Sequence, residues 1–401
     1  MKKILLPAIF AGLFLAACRK NDKPAVPDEP SKPEATFLRL IVSDVDQARI
    51  SVIDPLKKTA VNYPVSSAQP SLYATSTGQF AAIISRAAGK VEFFNTGVEK
   101  HGGHLHIHEA EMSPVNFSEA GPTHFFGHAG LNAIFNDGTG SLSIFKDGDL
   151  EGDGGTVIPV AQPHHGAMVI FDDFTIAVTQ KDGSVSGTLP EKVKIIDRFG
   201  KTLHETKIAT KGIHGDAGNG KLAAFGSTDG ILIVSQTGEQ SLIPYPSSFG
   251  TAWIGTVLGN KALPHFFGYV SLGLFKIDPA SRQITEVLKN DNNIHQYLLD
   301  SDGKNLYVLL TDGTLKIFDA VTAQLKKEGK IATAIPAGAT AAQKPYFAVS
   351  RRALYITDQA AGAIRMLDLA TLQPSASIPV GGKPFKLIVA GDQEGLEAGD
   401  H

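Results

Sequence analysis

The chain has a single cysteine, Cys18, in 401 residues. Without a second cysteine there is no disulfide framework, so stability has to come from a packed core. Long apolar runs are also scarce: only ILLPAIFAGLFLAA near the N-terminus qualifies. It is too short to span a bilayer and nothing equally apolar follows it, so no transmembrane helix is expected. Positive charge is not in excess. The formal charge is −3, and it becomes −5 once Lys2 and Lys3 are discounted with the first 17 residues. That excludes a basic surface for nucleic acid or anionic lipid heads. No helical period holds for more than a few residues, and neither a Ser-His-Asp signature nor a helix-borne HExxH occurs.

What is present begins with two lysines, the apolar run and then Leu15-Ala16-Ala17-Cys18. This is the layout of a secretory signal peptide over residues 1–17, ending like the lipobox in which the cysteine becomes a lipidated first residue. A periplasmic or cell-envelope location is expected, with contact to the membrane only through a lipid on Cys18. Residues 18–36, rich in Pro, Lys, Asp and Glu, read as a disordered tether, and residues 393–401 as a disordered tail. The rest, residues 37–392, belongs to a chain that is 43% hydrophobic and can bury a large core.

From Phe37 onward, short runs of Val, Ile, Phe, Tyr and Leu alternate with Asp-Gly, Thr-Gly and Asn-Asp turns, the pattern of an all-β chain. Segments led by a turn and followed by an inner strand align at Pro70, Pro122, Pro163, Gly212, Thr251, Asn293, Pro345 and Pro384. Their spacings are 52, 41, 49, 39, 42, 52 and 39 residues, each enough for about four short strands. Such a period is the signature of a single β-propeller. The count gives eight blades, or seven if one segment is not an inner strand; TAWIGTV, which lacks a leading Pro or Gly, fits least well. The strands FLRLIVSD, ARISVIDP and KTAVNYPV lack a partner at the start, and KPFKLIVAG lacks one at the end. Pairing them closes the ring and removes exposed sheet edges.

The third column of this alignment reads Leu72, His124, His165, His214, Trp253, His295, Phe347 and Phe385 or Lys386. Four of its eight positions are histidine, so imidazoles from different blades converge on one mouth of the channel, with His124, His165 and His214 from consecutive blades. Three or four such nitrogens suit the tetrahedral preference of zinc, although copper outcompetes zinc at most nitrogen sites and Cu2+ is the alternative ion. His164 and Asp216 lie beside the column, the latter as a carboxylate ligand or as the acceptor that fixes a histidine tautomer. Of thirteen histidines, eight fall between His101 and His165. The stretch EKHGGHLHIHEA accounts for the first four and sits as an insertion after the strand KVEFFNT. Extended, it puts His104, His106 and His108 on one face, about 6 to 7 Å apart. Its two glycines predict mobility, for a capture site or for a flap that reaches the His124 cluster.

HGGHLHIHE, PTHFFGHAGLNAIFNDGTGSLSIF, QPHHGAMV, KGIHGDAGNGKLAAFGSTDGILIV and LYITDQAAGAIRMLDLATLQ together resemble the AztD-type periplasmic zinc metallochaperones, over roughly residues 37–390. The resemblance implies a β-propeller that binds zinc through histidines of the mobile loop and the channel. It also implies delivery of the metal to the solute-binding protein of a zinc ABC transporter. A monomer without catalytic residues is expected. Two other readings remain open on the residues alone: a propeller metalloenzyme using zinc or copper, since three histidines with an open position can activate water, or a metal-free WD-repeat-like scaffold.

Overall fold

The computed structural model describes residues 33–392 apart from 102, 103, 153, 290 and 292. The segments read above as signal peptide with Cys18, most of the tether and the tail therefore lie outside the described residues. Eight four-stranded antiparallel sheets form the blades of a ring, which decides for eight blades over seven. Each blade starts with an inner strand at the channel and works outward. The middle strands are apolar on both faces and buried throughout, as in Phe80–Ser85 and Leu131–Asn136, because each blade is sandwiched between two others. The outermost strands are largely exposed, as in Thr59–Pro64, because they meet water rather than a further strand.

The core is consequently a set of layers between blades. One layer joins Leu131, Ala133 and Phe135 to Met168, Ile170 and Ile176 of the next blade; another joins Val169 and Phe171 to Phe225 and Leu232. Full burial of such side chains is worth roughly 1.5 to 3 kcal/mol each, which is how a chain without disulfides holds a ring of this size. Closure is as expected. Leu38–Asp44 pairs with the final strand Pro384–Gly391, so the first blade takes three strands from the start of the chain and its inner one from the end. The ordered ring reaches back to Pro33: Glu34, assigned above to the tether, is buried, and its carboxylate accepts from the Arg351 amide at 2.8 Å and the Ser350 hydroxyl. No helix among the described residues is long and apolar enough to cross a membrane.

Two aligned segments are not strands where the repeat placed them. The inner strand of the fourth blade is only Met168–Ile170, so the histidines of PHHG precede it; in the sixth it is Thr256–Leu258, so Trp253 lies on the approach. In both, His164 and His165 or Trp253 lie on the loop that leads into the inner strand.

Candidate metal centre

His124 sits near the start of the inner strand Pro122–His128. A bulge makes Thr123 the extra residue between Pro122, opposite Asn136, and His124, opposite Phe135. The strand Ile213–Gly218 is bulged at the matching place, around His214 and Gly215. Bulges re-aim side chains next to sites, and here both turn an imidazole toward the axis. Gly215 has φ of 77° and a Cβ there would meet the Gly255 carbonyl at 2.5 Å, so only glycine permits this approach. That carbonyl is the one that accepts from His214 Nδ1 at 2.7 Å.

His165 is set by its neighbours on three sides. Its backbone N–H donates to the Thr188 carbonyl at 2.9 Å, on the loop of residues 181–191. That loop is organised from inside by Glu191, whose carboxylate accepts from Lys181 Nζ at 2.8 Å and from the amides of Asp182 and Val185. Gly166 follows because any Cβ would enter the Phe135 ring. The imidazole itself donates Nδ1–H to Asp137 Oδ2 at 2.7 Å.

One ring nitrogen from each of His124, His165 and His214 lies within 4.8 Å of the other two. The His124 and His165 Nε2 atoms are 3.3 Å apart, and the ring centroids are 4.9 to 6.0 Å apart. Two tetrahedral zinc ligands with bonds of 2.0–2.1 Å should be separated by about 3.3 Å. With the Nδ1 positions of His165 and His214 engaged by Asp137 and the Gly255 carbonyl, their Nε2 lone pairs are left for an ion. Trp253, the single tryptophan, lies edge-on to His214 at 6.5 Å between centroids.

Electrostatics keep His124 ready to bind a cation. Burial, then the proximity of His165 and His214, lowers the His124 pKa from its ordinary 6.5 to about 4, so this imidazole is neutral at physiological pH. For Asp137, burial alone would raise the carboxyl, but hydrogen bonds from His165 and Arg86 outweigh it and hold it below the usual carboxylate range. Asp216 keeps some contact with channel solvent, yet burial pushes it up to about 7. The histidine shift has a consequence for the metal-free protein. Between the folded pKa near 4 and the unfolded value of 6.5, the unfolded chain binds more protons at this position, so its contribution to stability is full above 6.5 and is lost as the pH falls toward 4. Asp216 acts with the opposite sign, its cost growing as the pH rises from its unfolded value near 3.8 through 7. Comparing His124→Ala with the parent removes that term: urea unfolding should show the variant gaining about 2.5 kcal/mol relative to the parent between pH 7 and pH 4.5. A pH-independent difference would mean that His124 is not held neutral.

The other proposed site residues are placed elsewhere. His164 is buried and committed, donating Nδ1–H to the Gln162 carbonyl at 2.7 Å and accepting from the Thr179 hydroxyl at 3.0 Å; the neighbour of a ligand in sequence here points into the core. His295 donates Nε2–H to the Pro345 carbonyl at 2.6 Å and packs on Tyr346, on a blade too far round the ring to join the trio. Asp216 is outside the trio; it lines a cavity of about 930 Å3 with His128, Asp172, Thr77, Lys100 and Asp392. His128 Nε2 is 2.7 Å from Asp172 Oδ1 at that end.

The histidine-rich insertion is a two-stranded hairpin, Val98–His101 paired with His104–Ile107, between the third and fourth strands of the second blade. The His106 and His108 rings are 6.1 Å apart and Glu99 Oε2 lies 3.5 Å from His108 Nε2. Strands of a blade alternate in direction, and the third, Lys90–Asn95, runs away from the mouth that holds the trio. The hairpin therefore stands at the opposite mouth, where Val98 and Lys100 line the Asp216 cavity and Lys100 Nζ lies 4.0 Å from Asp392. In this structure the described part of the hairpin is therefore not a flap over the His124 cluster. Counting strand passes would have shown it from sequence. Asp137 was missed outright, since NDGTG reads as an ordinary turn.

Fold and site together define an eight-bladed propeller carrying a three-imidazole centre at one mouth of its channel. Over its full length the chain is similar to a zinc chaperone, AztD of Citrobacter koseri, at 25% identity across the whole of this chain and 96% of that protein. Two crystal structures of Citrobacter koseri AztD, one of them the apo form, superpose with TM-scores of 0.77 and 0.78 at 23% identity, covering 89% of this chain and 98% of theirs. A dihydro-heme d1 dehydrogenase, NirN, shares the fold more distantly, with TM-score 0.63 and 13% identity over 94% of this chain and 79% of that one. No protein-family profile matches the chain.

Proposed function

We propose that this protein is a zinc chaperone of the cell envelope: it holds one zinc ion on His124, His165 and His214 and passes it to the solute-binding protein of a zinc ABC transporter. The observation that carries the reading is the convergence of three imidazole nitrogens, two with tautomers set by Asp137 and Gly255. Full-length similarity to a zinc chaperone supports zinc over copper. Three protein ligands leave the fourth tetrahedral position open. A ligand of the acceptor can enter there and replace the histidines one at a time, so the ion is handed over without being released to water. Lipidation at Cys18 would keep the carrier beside the membrane where the transporter works.

The test is metal content of the untagged protein by mass spectrometry, followed by zinc titration of the stripped protein against a competing chelator, with Trp253 fluorescence as reporter. One tightly bound zinc per chain is expected; copper retained in preference to zinc under matched loading would reassign the cargo. The hairpin histidines, at the far mouth, act apart from this site. Replacing His104, His106 and His108 together by alanine should leave the zinc dissociation constant within about twofold of the parent while slowing loading from dilute zinc, measured by stopped-flow fluorescence. A matching loss of equilibrium affinity would indicate that they hold the ion.

A further inference from the structure

Arg86 comes from the turn between the second and third strands of the second blade, and its side chain is 59% exposed. Its Nη2 is 2.8 Å from Asp137 Oδ2, the same oxygen that takes the His165 proton, and its Nε donates to Thr123 Oγ1 at 2.8 Å, beside His124. A solvent-reached cation on one blade is thus joined through a carboxylate on the next to a ligand on a third. Arg86 shares the Asp137 carboxylate with His165 and, at 3.4 Å, with the Gly166 amide, so the carboxylate keeps partners of its own when the guanidinium is removed. The positive charge also opposes a dication in the trio, from which it is separated by one carboxylate and one imidazole.

We infer that Arg86 is a positioning residue that detunes the site: by neutralising Asp137 it makes His165 a weaker donor and keeps zinc from being held too tightly to transfer. This rests on the zinc reading above. A unit charge within about a Debye length, partly screened by water, alters the binding constant of a divalent ion by roughly three- to tenfold. A carrier gains from such a group because the ion has to leave; a permanent structural site does not.

The experiment is a charge series at one position: Arg86→Lys, Arg86→Met and Arg86→Glu, each titrated with zinc against the same chelator and assayed for the rate of zinc loss to that chelator. Arg86→Lys should stay within twofold of the parent. Arg86→Met should bind zinc roughly three- to tenfold more tightly and release it correspondingly more slowly, with Arg86→Glu tighter again, and 0.5 M salt should narrow the spread. Weaker binding in Arg86→Met and Arg86→Glu, or affinities independent of the charge at position 86, would overturn the inference and leave the zinc site standing. Absence of tight zinc binding by the parent protein would overturn the zinc reading and this inference with it.

Discussion

The His124→Ala, His165→Ala double variant should bind zinc at least about a thousandfold more weakly than the parent. Apparent zinc-binding free energies of roughly 10 to 16 kcal/mol, shared among the ligands of a structural site, put the loss of two ligands at several kcal/mol. The fold should survive, because neither side chain belongs to the layers between blades. Thermal unfolding shows both effects in one measurement. In the parent, zinc at a thousand times its dissociation constant adds about 4 kcal/mol of stability; in the double variant that increment should vanish while the metal-free transition stays cooperative. His295→Ala is the control, a column member bonded to Pro345 on the far side of the ring, and should retain the full increment. Zinc stabilisation that persists in the double variant would move the site elsewhere on the molecule.

Asp137→Asn should cost about 10- to 100-fold in zinc affinity although Asp137 need never touch the ion, the usual penalty for losing the group that orients a histidine ligand. The carboxylate can only accept from His165 Nδ1, which forces the tautomer with a free Nε2; an amide can also donate, which allows the opposite tautomer and turns an N–H toward the metal. The difference is electronic as well as geometric, because a neutral amide does not strengthen the imidazole as a donor. Competition titration gives the magnitude. Unchanged affinity in Asp137→Asn would reduce Asp137 to a turn residue and would remove the link through which Arg86 acts. The two predictions are independent in kind: one deletes ligands, the other leaves all three in place and spoils their presentation.

The blades were legible because a propeller repeats a local unit. A run such as LNAIFNDGTGSLSIF carries its strands, turn and burial in one window, and the spacing of eight such windows carries the ring. The clustering of imidazoles at one mouth followed from the same register. The placement of the hairpin histidines could also have been reached by following strand direction through KVEFFNT. His164 and His165 show where this stops: adjacent in sequence, one enters the core against Thr179 and the other the channel, a choice made by the loop that receives the His165 amide.

The sequence by itself therefore determined the all-β propeller, its repeat of about 40 residues, the closure of its ring and the candidate ring of histidines, all properties of short windows repeated in register. Only the tertiary structure decided for eight blades over seven, which three histidines meet, that His295 and His164 are spent on other bonds, and that Asp137 and Arg86 stand behind His165. The physical reason is range. A bulge at Gly215, a carbonyl 41 residues from His214 and a carboxylate 28 residues from His165 act across blade boundaries, where side-chain direction is set by packing between sheets and not by the period of any one strand.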